Sequence, residues 1–183
     1  FLGSSCIYPK FSKQPITEEE LLKGYLEPTN QWYAIAKISG IKLCESLKKQ
    51  YNFNAISLMP TNLYGPGDNY HPNNSHVLPS FIRRFIEAKI TRQKKVICWG
   101  TGSPLREFLH VDDLASACLF VLENWDLDKN NSPKYLDGTP LPFLNVGTGI
   151  DITIKELANL VAKLVGYEGC LLYTSPSPRD RIS

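Results

Sequence analysis

Apolar positions along the chain follow a helical period in some stretches and form short continuous runs in others. From Asn30 to Tyr51 the residues Ala34, Ile35, Ala36, Ile38, Ile41 and Leu43 recur at helical spacing, which predicts a long helix with a broad buried face. Asn54 to Met59 is a short apolar run closed by Pro60, which suits a parallel strand covered on both faces. Phe1 to Ser5 reads as the end of a buried strand, separated from the long helix by a loop rich in Pro, Lys and Glu. Strand, helix, strand is the expected opening unit.

The alternation continues. Leu78, Phe81, Ile82, Phe85 and Ile86 predict a helix from Val77 to Ala88, and Val96 to Trp99 and Arg106 to Val111 read as short strands. Asp112 is the expected cap of a helix through Leu114, Ala117, Cys118, Phe120 and Val121 to Trp125. Phe143 to Val146 follows as a strand, then a glycine turn at Gly147 to Gly149 and a last helix from Ile154 to Val165. Between Pro60 and Ser75 lies a long polar loop of the kind that carries function inside a compact domain. The pattern predicts an α/β fold: part of a doubly wound, Rossmann-like parallel sheet with a smaller second domain.

Composition narrows the class. Of 183 residues 43% are hydrophobic and 21% charged, as in an ordinary globular protein, and the net charge of +2 is scattered. That excludes the basic patch expected of a nucleic-acid or membrane-surface binder and favours small-molecule partners. No run reaches the roughly 20 apolar residues of a membrane span, and no signal segment opens the chain, so a cytoplasmic protein is expected. Cys6, Cys44, Cys98, Cys118 and Cys170 are too widely spaced to signal a metal site or a disulfide framework. The chain starts without Met, so an upstream portion is expected. Residues 170–183 break the preceding pattern, resemble translated adaptor sequence and are set outside the expected fold.

The candidate chemistry begins with Tyr33 and Lys37, four apart on one helix face. An ammonium beside a phenol favours phenolate and draws its pKa from about 10 towards neutrality, which suits a proton donor to a carbonyl. With nine Tyr in the chain, chance supplies such a spacing too. Ser4, Ser5 and Cys6 sit at a strand end, where open α/β sheets bind ligands, and a Ser4 hydroxyl there can bond the same carbonyl oxygen. In a 4-keto sugar the C3 and C5 hydrogens flank the carbonyl, and inverting either centre needs an acid and a base on opposite ring faces. A thiolate at Cys6 and an imidazole at His76 are candidates for the two; the competing readings are a buried small hydrophobe and a solvated loop His.

Gly3-Ser-Ser-Cys-Ile-Tyr-Pro9, Tyr33-Ala-Ile-Ala-Lys37, Pro60-Thr-Asn-Leu-Tyr-Gly65, Asn74-Ser-His-Val77, Trp99-Gly100, Arg106-Glu-Phe-Leu-His-Val-Asp-Asp113 and Asn145-Val-Gly-Thr-Gly149 together resemble the extended short-chain dehydrogenase/reductase family. Within it, the resemblance is to the NADPH-dependent enzymes that epimerise and then reduce a GDP-sugar, and it covers Phe1 to Gly169. It implies Tyr33 as the active-site acid, Lys37 as its modifier and cofactor contact, Ser4 on the keto oxygen, and Cys6 and His76 as the epimerisation pair. It also implies that Leu2, Gly3, Ser4, Ser5, Lys37, Pro60, Thr61, Asn62, Leu63 and His76 line the NADPH site, that Arg84, Trp99 and Arg106 hold the GDP-sugar, and that the enzyme is a homodimer. Residues 1–62 and 107–150 would then belong to the NADP-binding domain, and 63–106 and 151–169 to the substrate-binding domain.

Arginine forks suit a diphosphate and an indole suits a sugar or base face, although a solvated helix face for Arg84 and core packing for Trp99 are the alternatives. A dehydratase of this group would carry an adjacent Asp-Glu pair where Cys6-Ile7 stands, and a non-catalytic dinucleotide sensor would lack Tyr33 or Lys37. No G-x-G-x-x-G is present, so the pyrophosphate loop is expected upstream of Phe1, and the segment by itself is expected to be inactive.

Overall fold

The computed structural model describes residues 1–174. In chain order the elements are α1 (Gln31–Tyr51), β1 (Ser57–Pro60), β2 (Asn62–Tyr64), α2 (Val77–Ile90), β3 (Lys95–Trp99), β4 (Leu105–His110), α3 (Val111–Asn124), β5 (Phe143–Val146), β6 (Asp151–Thr153), α4 (Ile154–Val165) and β7 (Cys170–Thr174). Contacts divide them into two compact units, Phe1–Leu63 with Leu109–Thr148, and Tyr64–Phe108 with the chain from Gly149 onwards. Among the described residues no helix is long and apolar enough to cross a membrane.

In the first unit β1 and β5 run parallel, Ser57 opposite Phe143 and Pro60 opposite Val146. The opening segment lies on the other side of β1 through a parallel bridge from Leu2 to Leu58, and the Gly3 N–H donates to the Leu58 carbonyl at 2.8 Å. Successive strand residues point to opposite faces. Met59 and Phe143 accordingly pack with Ile38 and Ile41 of α1, together with Ile7 and Tyr8. Leu58 and Leu144 pack on the other face with Val121 of α3, Trp125 and Leu127. Helices on both faces of parallel strands are the doubly wound arrangement that the alternating pattern predicts.

The second unit pairs β3 with β7 in parallel and β4 with β6 antiparallel. α2 and α4 supply Phe81, Phe85, Ala88, Leu157, Ala158, Val161 and Ala162 to a core that also holds Val96 and Cys98. Phe85, fully buried, stacks against Phe81 at 5.5 Å and Tyr167 at 5.7 Å between ring centroids. α4 opens with a reciprocal cap, in which the Thr153 hydroxyl accepts from the Glu156 N–H while the Glu156 carboxylate accepts from the Thr153 N–H.

Several expectations need correction. Only Ala34, Ile38 and Ile41 of the α1 stripe are buried; Ala36 is exposed, as are Ile35 and Leu43 at 46% and 59%. The stripe spans more of the helix circumference than one flanking sheet can cover. α3 starts at Val111, and its cap is His110, whose Nδ1 accepts from the Asp112 N–H at 3.3 Å; Asp112 and Asp113 occupy the first turn. Cys170–Thr174, set outside the expected fold, forms β7 beside β3, with Lys95 opposite Cys170. The rest of that tail lies outside the described residues.

Candidate active site

In the first unit the chain leaves the sheet edge at Gly3 and turns at once. Ser4 is extended, with φ −165° and ψ 148°, and it caps a single 3₁₀ turn, Ser5–Ile7, by accepting the Cys6 N–H on its side chain at 3.3 Å. Ser4 and Ser5 are half-buried and Cys6 is exposed, whereas Ile7 and Tyr8 are buried. A seryl oxygen that accepts at its lone pair keeps its own O–H proton for another partner. The turn therefore presents a hydroxyl donor and a thiol at the end of a parallel strand.

Helix α1 brings Tyr33 and Lys37 to that strand end. The Lys37 ammonium donates to the Leu2 carbonyl at 2.9 Å and lies 5.6 Å from the centroid of the Tyr33 ring, over which it makes a cation–π contact. The Tyr33 side chain is 46% exposed. Four-residue spacing places both side chains on one face. The α1 face that carries them borders Phe1 and Leu2 rather than open solvent alone.

β1 ends beside the same region of the first unit. Pro60 is buried, Thr61 and Leu63 are half-buried and Asn62 is exposed, and the Thr61 N–H donates to the Val146 carbonyl at 3.1 Å. The Thr61 hydroxyl is buried and has no hydrogen-bond partner among the described residues. A buried polar atom of this kind is costly unless a ligand satisfies it, and the C-terminal ends of parallel strands are where ligands of open α/β sheets bind.

The sequence-predicted residues His76, Arg84, Trp99 and Arg106 belong to the second unit. His76 stands at the N-terminus of α2, exposed, and its imidazole makes no cap hydrogen bond. Arg83 and Arg84, neighbours in sequence, diverge. Arg83 pairs with Glu87 one turn on at 2.8 Å, whereas Arg84 reaches β3, donates to the Ile97 carbonyl and lies 5.4 Å from the Trp99 ring centroid. Burial pulls the Arg84 guanidinium below the usual arginine range. Its solvated-face alternative is therefore not what the structure adopts, and Trp99, 56% exposed, is not a core residue either. Arg106 is exposed on β4 and donates to the Leu105 carbonyl at 2.7 Å.

One set of residues in the first unit escapes sequence reading. The Tyr8 hydroxyl donates to Asn145 Oδ1 at 2.5 Å, and the Asn145 N–H donates to Glu18 Oε1 at 2.7 Å. A polar residue inside the apolar run Phe-Leu-Asn-Val of β5 was the available signal, because a polar side chain in such a strand needs a partner.

The sequence profile of the NAD dependent epimerase/dehydratase family matches residues 1–134. A probable GDP-L-fucose synthase 1 of Oryza sativa subsp. japonica is 57% identical over 178 residues, 97% of this chain and 50% of the relative. The GDP-L-fucose synthase of Escherichia coli (strain K12) is 55% identical over 180 residues, again 97% of this chain and 54% of the relative. Among solved structures, a GDP-mannoheptose C4 reductase from Campylobacter jejuni with NADP bound superposes with a TM-score of 0.79 at 35% identity, over 95% of this chain and 58% of that one. The chain spans about half the length of the curated relatives it matches.

Proposed function

Because the chain belongs to the NAD dependent epimerase/dehydratase family, we propose that it acts in the NADPH-dependent 3,5-epimerisation and 4-reduction of GDP-4-keto-6-deoxy-D-mannose to GDP-L-fucose. The observation that carries the reading is the Lys37 ammonium on the Leu2 carbonyl at 2.9 Å, which joins the Tyr33 face of α1 to the strand end bearing Ser4 and Cys6. The GDP-L-fucose synthases of rice and Escherichia coli, aligned over nearly the whole chain, support the choice of sugar nucleotide.

The residues then take the following roles. Tyr33 delivers a proton to the C4 oxygen, and the Ser4 hydroxyl donates a hydrogen bond to that oxygen as charge builds on it. Cys6 and His76 remove and return the protons at C3 and C5, which the held carbonyl makes acidic. Arg84, Trp99 and Arg106 hold the GDP-sugar, Arg84 with its guanidinium already oriented by Ile97 and Trp99. Leu2 to Ser5, Lys37, Pro60 to Leu63 and His76 hold NADPH, which supplies the hydride to C4. The unpartnered Thr61 hydroxyl fits a cofactor at the end of β1, since a polar ligand group there would satisfy it. On this reading the first unit is the nucleotide-binding part and the second the substrate-binding part of a cytoplasmic homodimer.

NADPH oxidation by the full-length gene product with GDP-4-keto-6-deoxy-D-mannose tests the reading. Turnover that falls by about 10²-fold or more in Tyr33→Phe supports it; a parent protein that oxidises no NADPH with this sugar refutes it.

A further inference from the structure

The turn carrying Ser4, Ser5 and Cys6 is weakly bonded within itself. Its Ile7 N–H reaches the Ser4 carbonyl at 3.3 Å and its Tyr8 N–H the Ser5 carbonyl at 3.5 Å, both long for a backbone hydrogen bond. Contacts of this length leave the direction of the exposed Cys6 side chain to whatever anchors the turn at its two ends. One end is the 2.8 Å bond from the Gly3 N–H to the Leu58 carbonyl. The other is the buried pair Ile7 and Tyr8, at 0% and 5% exposure.

Tyr8 is held by a partner that is itself fully oriented. Asn145 Nδ2 donates to the Ile16 carbonyl at 3.2 Å, so its Oδ1 is the atom left to accept the Tyr8 hydroxyl at 2.5 Å. The Asn145 backbone N–H is in turn tied to Glu18 Oε1 at 2.7 Å. Ile16 and Glu18 thus fix Asn145, and Asn145 in turn holds the side chain two positions after Cys6.

We propose that Tyr8, oriented by Asn145 and Glu18, is a positioning residue that sets the direction of the Cys6 thiol and so governs the epimerisation half of the reaction without touching the sugar. The inference rests on the proposed function, because only that reading gives Cys6 a proton to move. Burial, and after it the Glu18 carboxylate, raises the Tyr8 phenol above the ordinary tyrosine value. It remains a hydrogen-bond donor throughout the neutral range. Misplacing a reacting group by about 1 Å costs on the order of a hundredfold, so a partial loosening of the turn is expected to cost less.

The test is the ratio of two outputs of the full-length gene product acting on GDP-4-keto-6-deoxy-D-mannose: solvent deuterium uptake at C3 and C5, and hydride transfer from NADPH. Tyr8→Phe is expected to lower uptake about tenfold while total hydride transfer stays within about twofold, so that reduced but un-epimerised sugar appears among the products. Glu18→Ala should move the ratio the same way, and Glu18→Gln, which keeps an oxygen for the Asn145 N–H, should restore it. A parallel fall of both outputs, or an unchanged ratio in Tyr8→Phe and Glu18→Ala, overturns the positioning role. If the parent protein takes up no deuterium, the proposed function fails and this inference with it; if the parent exchanges and both variants match it, this inference fails alone.

Discussion

Gly3 lies so close to Met59 that a Cβ added to it would sit 2.2 Å from the Met59 sulfur. Met59 is 1% exposed and packs in one core with Ile7 and Tyr8 of the turn that follows, so the sulfur has little room to retreat. Glycine at this position therefore serves close packing of the opening segment on β1. Gly3→Ala is expected to destabilise the protein by about 1–3 kcal/mol through overpacking. The double variant with Met59→Val should recover part of that loss in a denaturant titration.

Lys37 ties α1 to the strand end through the Leu2 carbonyl at 2.9 Å. Lys37→Met keeps the aliphatic stem and removes the charge and the donor. The expected result is a loss in kcat of about 10²- to 10⁴-fold, the usual contribution of positioned acid–base groups. Stability should fall by about 1.5–3 kcal/mol at most for one charge-assisted hydrogen bond. Steady-state kinetics and a thermal melt on the full-length gene product measure the two separately.

Alkaline pH should destabilise the first unit. Burial first, and then the carboxylates of Glu45, Glu19, Glu18 and Asp137, push the Tyr135 phenol up to about 12. A group that holds its proton more tightly when folded stabilises the fold fully below its unfolded value and loses that contribution as pH rises. The window runs from about 10, the unperturbed tyrosine value, up to about 12. Denaturant titrations across that range should show stability falling in the parent and falling less in Tyr135→Phe.

Short-range pattern carries much of this fold, and long-range pairing carries the rest. α1, α2, α4 and the strands β1, β3, β4 and β5 are legible because each repeats apolar residues at its own period. β2 and β6 are three-residue strands inside polar or glycine-rich segments, too short for any period to register. β7 takes its place from pairing with β3, which no local feature of Cys170 to Thr174 announces.

The candidate site divides along the same line. Tyr33 and Lys37 are visible as a helical pair, and Ser4 to Cys6 as a strand end. Arg84 and Arg83 are indistinguishable as adjacent helix residues, and only the fold sends Arg84 to Trp99 and Arg83 to Glu87. Tyr8 and Asn145 are separated by 137 positions, so nothing local links them. His110 illustrates a chemical substitution instead: an imidazole nitrogen performs the capping that Asp112 would perform by residue preference.

In the proposed function Cys6 and His76 move the C3 and C5 protons of the keto sugar. Solvent deuterium uptake at those two carbons, followed in the full-length gene product and in its Cys6→Ala and His76→Ala variants, addresses it directly. Each substitution is expected to lower exchange by about 10²-fold or more, with NADPH-dependent reduction of the un-epimerised sugar persisting in Cys6→Ala. Exchange undiminished in both variants would contradict it.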